Sequence, residues 1–189
     1  MNATIKGNNI ALIGMPGCGK SSVGGKMELG RPRIEREFGK LKVIDTDGLM
    51  KSSVGEGQFK SMLRMEFLFL ERKILLDLGK LLDKGGHNVI STGGSAVYSG
   101  QAMDYLKEIS IIVYLEASLK VLEGRLSSTP IEERGIVDLG TRTLGEIYEE
   151  RNPLYEKWAE VRINSDLLSV DAIVEKITSL WGPRKERGR

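Results

Sequence analysis

Eight residues near the amino end of the chain constrain its structure more than any other feature. Gly14-Met15-Pro16-Gly17-Cys18-Gly19-Lys20-Ser21 matches the pattern G-x-x-x-x-G-K-[ST] at every fixed position. The pattern follows a short apolar run at 10–13 and precedes a predicted helix at 21–29. In that context the glycines allow backbone N–H groups to turn inward around a phosphate, and the helix adds its positive end. We therefore predict a nucleotide-binding loop.

The chemistry of each position in this loop indicates what it binds. The ammonium of Lys20 would lie against the β- and γ-phosphates of ATP, and the hydroxyl of Ser21 would be a ligand of Mg²⁺, which prefers hard oxygen atoms. ATP and Mg²⁺ are therefore the expected co-substrate and metal ion. The residues expected to contact the nucleotide in this segment are Gly14, Gly17, Cys18, Gly19, Lys20, Ser21 and Ser22.

Length and charge bound the remaining possibilities. The chain has 189 residues and a net charge of +2, which favours one domain, at 1–181. The last eight residues hold four basic groups and one acidic group, so we expect 182–189 to be a basic, disordered tail. The body is then slightly acidic, and we expect neither nucleic-acid nor membrane binding. The single cysteine and the polar first nine residues favour a cytoplasmic protein, which we expect to be a monomer.

Short apolar runs alternate with helical patterns along the chain. Five runs are predicted strands, at 10–13, 43–44, 89–90, 109–115 and 161–163. This alternation is typical of an α/β fold with a parallel sheet and helices on both faces. Ligands of such sheets bind outside the carboxyl ends of the strands. Because the glycine-rich loop, Asp45-Thr46-Asp47 and Gly93-Gly94-Ser95 all follow predicted strands, we expect them to meet at one edge.

Asp45 and Asp47 form a pair of carboxylates just beyond the second predicted strand. In strand geometry, residues two positions apart point to the same side, so we expect both to face the phosphate-binding loop. One carboxylate could support Mg²⁺ and the other could accept a hydroxyl proton.

The order of motifs resembles the shikimate kinase family of small P-loop kinases over most of 10–177. The resemblance rests on the phosphate loop and on five later features: Val43-Ile44-Asp45-Thr46-Asp47, Ile90-Ser91-Thr92-Gly93-Gly94, Val113-Tyr114-Leu115, Arg134 in a lid-like loop at 127–141, and Arg151-Asn152-Pro153-Leu154-Tyr155. It implies a three-layer P-loop kinase sandwich with a five-stranded parallel sheet. It also implies phosphorylation of shikimate by ATP, giving ADP and 3-phosphoshikimate.

The resemblance also implies a role for individual residues. Asp45 would support Mg²⁺, and Asp47 would contact the substrate hydroxyls. Gly93 and Gly94 would line the substrate site, and Arg151 would bind the substrate carboxylate. Two arginines complete the set: Arg134 would close over the phosphates, and Arg125 would flank the adenine. Lys20, Asp47 and Arg134 are therefore the expected catalytic residues.

Three features of the sequence depart from the family pattern. Ser95 replaces a third glycine, Gly135-Ile136 follows the lid arginine where the family has Pro-Leu, and Leu68 replaces a second carboxylate-binding arginine. Lys60 or Arg64 would substitute for that arginine only in a shifted alignment. Two alternatives therefore stay open: a related kinase for another small hydroxylated acceptor, and a relative that binds nucleotide without catalysis.

Two further segments were interpreted structurally. Apolar residues between Leu63 and Leu81 recur at spacings of three and four, which predicts one long helix whose role is core packing. His87 lies before the third predicted strand, and we expect it to be a solvated loop residue.

Overall fold

A parallel sheet forms the centre of the computed structural model, which describes residues 8–29, 32–39, 41–127 and 141–181. Within these ranges the sheet has five strands in the order β2-β3-β1-β4-β5, and every neighbouring pair is parallel. The strands are β1 (Asn9–Ile13), β2 (Leu41–Asp45), β3 (His87–Ser91), β4 (Ile111–Glu116) and β5 (Val161–Asn164). The predicted five-stranded α/β fold is thereby confirmed.

Consecutive burial explains why these segments form a covered sheet. All five residues of β3 are buried, and so are the four central residues of β4. Successive side chains of a strand point to opposite faces, so both faces of these strands are covered. The near-continuous apolar runs in the sequence are typical of such buried parallel strands.

The described part of the chain contains nine α-helices, four of which the sequence pattern missed. The missed helices are α2, α3, α4 and α6, which are short or follow directly on a strand or turn. In order, the nine are α1 (Lys20–Glu28), α2 (Pro32–Phe38), α3 (Thr46–Val54), α4 (Glu56–Ser61), α5 (Arg64–Asp77), α6 (Gly100–Ile109), α7 (Leu119–Leu126), α8 (Leu144–Trp158) and α9 (Val170–Ser179).

The long helix expected between 63 and 81 is shorter than its pattern. Helix α5 ends at Asp77 and continues as a 3₁₀ turn over Leu78–Lys80. Leu63 lies outside the helix and is 71% exposed. The interpretation of the helix as core packing alone is also incomplete, because one of its residues, Glu71, is a buried carboxyl group.

Two further local features differ from what the sequence pattern favours. Pro153 is a residue type that breaks or kinks helices, yet it lies inside α8, which continues without a break to Trp158. His87 is the first residue of β3 and is buried, with its ring against Phe38 and Trp181. Aromatic packing therefore covers a side chain that the sequence placed in solvent.

Two apolar clusters hold the helices in place. The larger surrounds the sheet, and α1 packs against both α9 and the β2–β3 half of the sheet. The smaller contains Met50, Phe59 and Phe67 and ties α3, α4 and α5 into one block beside the sheet edge. No helix in the described ranges is both long and apolar enough to cross a membrane.

Two predicted features lie largely or wholly outside the described residues. Arg134 and all of the lid-like loop except its two terminal residues fall between 127 and 141, and the basic tail begins at 182. Their predicted roles stay predictions.

Candidate active site

The carboxyl ends of three strands meet where the sequence placed the site. Asp45 of β2 is in register with Ser91 of β3, and β3 lies beside β1. The Thr92 hydroxyl donates to the carbonyl of Leu12 at 2.9 Å, and the N–H of Gly93 donates to the hydroxyl of Thr46 at 3.0 Å. These two bonds join the turn after β3 to the end of β1 and to the start of α3.

The glycine-rich loop adopts the geometry that its glycines permit. Gly14 has φ +142°, and a Cβ there would lie 2.6 Å from the carbonyl oxygen of Leu115, so only glycine fits without a shift. The ammonium of Lys20 is folded over the loop and donates to the carbonyls of Gly14 and Met15 at 2.7 and 3.1 Å. The loop therefore holds its lysine, only 7% exposed, at the start of α1.

A cavity of about 390 Å³ lies between the loop, α3 and α8. It brings together nine of the residues singled out from the sequence: Gly17, Gly19, Lys20, Ser21, Ser22, Asp47, Gly94, Arg125 and Arg151. Pro16, Phe67, Thr92 and Ser95 complete its lining. Residues from six separate segments thus converge on one space at the predicted sheet edge.

The prediction that Asp45 and Asp47 point to the same side of a strand is wrong. β2 ends at Asp45 and α3 begins at Thr46, so Asp47 lies in the first turn of a helix. Asp45 is exposed and caps that helix, accepting from the N–H of Asp47 at 3.1 Å. Asp47 lines the cavity instead. Burial raises the pKa of the Asp47 carboxyl, and the nearby charge of Lys20 opposes that rise.

Two arginines that line this cavity are held in place by hydrogen bonds. The guanidinium of Arg125 donates to the carbonyl oxygens of Gly17 and Ser165 at 3.1 and 2.9 Å, which holds it beside the phosphate loop. Arg151 is 1% exposed, and its Nε donates to the hydroxyl of Tyr98 at 3.0 Å. Arg151 is therefore a buried guanidinium and not a member of a surface ion pair.

The glycines after β3 are required by close approach. A Cβ on Gly94 would lie 2.7 Å from Cδ of Pro16 and 3.3 Å from a guanidinium nitrogen of Arg151. A Cβ on Gly93 would meet carboxylate oxygens of Asp47 and Glu71. Gly93 therefore packs behind the cavity, and Gly94 lines it.

Glu71 is the residue that sequence reasoning missed. It lies on α5 and is 2% exposed, and its Oε2 accepts a hydrogen bond from the Ser95 hydroxyl at 2.7 Å. Burial raises the pKa of Glu71 to about 8, since its hydrogen bond from Ser95 and the nearby charges of Arg151 and Lys20 offset only part of the cost. The sequence did contain a signal for it, a glutamate within the apolar pattern of a predicted helix. A glutamate is almost never fully buried without a partner, so its presence there indicates a special environment.

The structure also shows where Leu68, Lys60 and Arg64 lie, the three residues considered for the second carboxylate-binding arginine. Leu68 does not line the main cavity; it lines a neighbouring one of about 220 Å³ with Glu71 and Ser95. Lys60 is paired with Glu56 at 3.0 Å on α4. Arg64, one turn before Leu68, places its guanidinium carbon 5.5 Å from the centre of the Tyr98 ring, the ring that Arg151 also contacts.

Some predicted site residues lie outside the cavity. Gly14 and Cys18 support the loop from behind, and Cys18 is buried. Asp45 is exposed and does not line the cavity, and Arg134 is outside the described residues. In the part of the chain that the structure describes, no three His, Cys, Asp or Glu side chains are grouped so that they could hold a metal ion by themselves.

Comparison with known proteins gives a consistent result. A family model described as shikimate kinase matches residues 16–181. The shikimate kinase of Clostridium beijerinckii is 31% identical, over 84% of this chain and 86% of that protein. One from Clostridium botulinum is 32% identical, over 84% of this chain and 88% of that protein.

Solved structures agree on the fold. The shikimate kinase of Acinetobacter baumannii, solved in complex with shikimate, has a TM-score of 0.71 and 22% identity, and the match covers 91% of each chain. At this identity the likeness concerns the fold alone, whereas the sequence matches reach most of the chain. This chain belongs to the shikimate kinase family.

Proposed function

We propose that this protein transfers the γ-phosphoryl group of ATP to a hydroxyl of shikimate, giving ADP and 3-phosphoshikimate. The observation that carries the proposal is the shared cavity, in which the phosphate loop with Lys20 faces Asp47 and Arg151. A phosphate-binding loop thus lies opposite one carboxylate and one buried guanidinium. That arrangement suits an acceptor with both hydroxyl groups and an anionic end.

The nucleotide side is assigned to the loop and α1. Backbone N–H groups at Gly17 and Gly19 and the ammonium of Lys20 would hold the phosphates, together with the hydroxyls of Ser21 and Ser22. Lys20 now donates to two loop carbonyls, and it would exchange these for phosphate oxygens when ATP binds. Arg125, fixed beside Gly17, would flank the adenine.

The acceptor side is assigned to Asp47, Gly94 and Arg151. Arg151 presents a planar guanidinium that can bind a carboxylate through two hydrogen bonds. Asp47 would accept the proton of the reacting hydroxyl while that oxygen attacks the γ-phosphorus and the bond to the β–γ bridging oxygen breaks. Little covalent work falls to the protein, so its contribution is positioning and electrostatic stabilisation.

Two oxygen-bearing side chains fit a magnesium ion. Ser21 lines the cavity, and Asp45 ends β2 and is hydrogen-bonded to the N–H of Asp47, which lines the cavity too. One or two such hard donors suffice because nucleotide phosphates supply further oxygens. When bound, Mg²⁺ neutralises charge on the β- and γ-phosphates. Asp45 also accepts a hydrogen bond from the N–H of Asp47 and so fixes the start of α3. It would thereby help to orient the carboxylate of Asp47 as well.

The remaining assignments come from sequence and family. Arg134, in the loop at 127–141, would close over the transferring phosphoryl group and exclude water. We further propose that the protein acts as a monomer of one domain in the cytoplasm. The single cysteine, which is buried, suits a reducing compartment.

A panel of acceptors tests the proposed function. ADP release is measured with ATP and Mg²⁺ in the presence of shikimate, other hydroxylated acids, sugar acids and nucleoside monophosphates. We expect release with shikimate above all others, and a fall of about a hundredfold or more in Lys20→Ala because a transition-state charge contact is lost. Preferred turnover of another acceptor would assign the protein to a related kinase. ATP binding without turnover of any acceptor would identify a non-catalytic relative.

A further inference from the structure

The buried carboxyl group of Glu71 lies directly behind the acceptor side of the cavity. One of its oxygens, Oε2, accepts a hydrogen bond from the hydroxyl of Ser95. The other, Oε1, is buried and has no hydrogen-bond partner. Oδ1 of Asp47 is likewise buried and without a partner. Two buried acceptor atoms without donors are costly, because each loses its hydration and gains nothing in return.

The two oxygens without a partner both lie next to Gly93. Oε1 of Glu71 and Oδ1 of Asp47 each lie within 2.7 Å of the position that a Cβ would take on Gly93. One proton between the two carboxyl groups would supply the donor that both oxygens lack. Two ionised carboxylates that converge on one buried position would instead repel each other.

We propose that Glu71 is a positioning residue: Ser95 orients its carboxyl group, which carries a proton and donates a hydrogen bond to Oδ1 of Asp47. Oδ2 of Asp47 is then left to accept from the acceptor hydroxyl. The proposal rests on the proposed role of Asp47 in binding the acceptor. It assigns Ser95 a purpose as well, because a glycine there would leave Oε2 of Glu71 without a donor.

The charges around Glu71 are consistent with a retained proton. Three charged side chains act on it: Asp47 of α3, Lys20 of α1 and Arg151 of α8. The hydroxyl of Ser95 donates a hydrogen bond to it. In the described residues, none of the lysines or arginines makes an ion pair with Glu71. Its pKa of about 8 is set chiefly by burial, so the proton is present at neutral pH and leaves as the pH rises through 8.

Two variants with opposite hydrogen-bonding capacity test the proposal. Glu71→Gln keeps a donor for Asp47 and an acceptor for Ser95, whereas Glu71→Met fills similar space with neither. Glu108→Gln, at an exposed position on α6, is the matched control. Initial rates are measured against shikimate and ATP from pH 6 to pH 9.5.

At pH 7 the Met variant should raise KM for shikimate about tenfold, the usual effect of losing a hydrogen bond to a charged group, and leave KM for ATP unchanged. The Gln variant should match the wild type at pH 7. In the wild type kcat/KM for shikimate should fall above pH 8, and the Gln variant should lack that fall. An equal rise in both KM values for the Met variant, or the same alkaline fall in the Gln variant, would overturn the proposal.

A measurement without turnover separates this proposal from the proposed function. The infrared difference spectrum between pH 7 and pH 9.5 should show loss of a protonated carboxyl band in the wild type and not in Glu71→Gln. Its presence supports the proton on Glu71 even if shikimate is not the acceptor. Identical difference spectra for the two proteins would overturn the proposal, and they would do so even if the Met variant does not fold.

Discussion

Replacing Glu71 by glutamine should change how the stability of the fold depends on pH. In the unfolded chain this carboxyl ionises near its ordinary pKa of 4.5, whereas burial in the folded protein raises the pKa to about 8. Between these values the folded state binds a proton that the unfolded state has released. The contribution of Glu71 to the free energy of unfolding therefore falls as the pH rises from 4.5 to 8.

The size of the effect follows from the linkage relation. One group that differs by one proton between the two states changes the free energy of unfolding by about 1.4 kcal/mol for each pH unit. Glutamine cannot ionise and keeps both hydrogen bonds. Its stability relative to the wild type should therefore rise by about 3 kcal/mol between pH 5.5 and pH 7.5.

Urea unfolding of the two proteins at several pH values measures this difference directly. Ionisable groups common to both proteins largely cancel in the comparison, and Glu108→Gln controls for loss of an exposed carboxylate. Parallel stability curves for the wild type and Glu71→Gln across this range would show that Glu71 is ionised in the folded protein, and the reasoning from burial would fail.

Four further outcomes are expected. Asp47→Asn should lower turnover of shikimate by about a hundredfold or more, since the acceptor of the hydroxyl proton is lost, while the Kd of ATP from calorimetry changes little; lost ATP binding with acceptor binding kept would contradict the assignment. Arg151→Lys should raise KM for shikimate about tenfold, because an ammonium group replaces a planar guanidinium that can bind a carboxylate through two hydrogen bonds. An unchanged KM would show that the carboxylate of shikimate binds elsewhere. Gly94→Ala should raise the KM of both substrates, since its Cβ would lie 2.7 Å from Cδ of Pro16; steady-state kinetics measure this, and unaltered constants would argue against close packing there. Hydrogen exchange in 127–141 should slow when ATP and shikimate are both bound, and equal exchange with and without them would leave Arg134 without a role in closure.

The sheet and the phosphate loop were predictable because each is encoded locally. Five contiguous apolar runs marked the strands, and one unbroken pattern from Gly14 to Ser21 marked the loop. The positions of Gly94 and Arg151 at the site followed from family motifs that are also contiguous. Such signals need no knowledge of which distant segments touch.

What the sequence missed depends on contacts between distant segments. Glu71 is significant only because α5 packs its carboxyl against Ser95, which is 24 positions later in the chain. The aspartates were placed wrongly because β2 stops at Asp45, so strand alternation does not apply to Asp47. His87 was placed in solvent because Phe38 and Trp181, which cover it, are far from it in sequence.

Transfer of phosphate to shikimate is the central claim, and product analysis tests it most directly. The protein is incubated with ATP, Mg²⁺ and shikimate, with Lys20→Ala in parallel, and phosphorus NMR follows the γ-phosphoryl group. We predict a phosphate ester on the 3-hydroxyl of shikimate that appears in step with ADP and is almost absent in the variant. ADP formed together with inorganic phosphate and no ester, or no ADP from protein that binds ATP, would contradict the account.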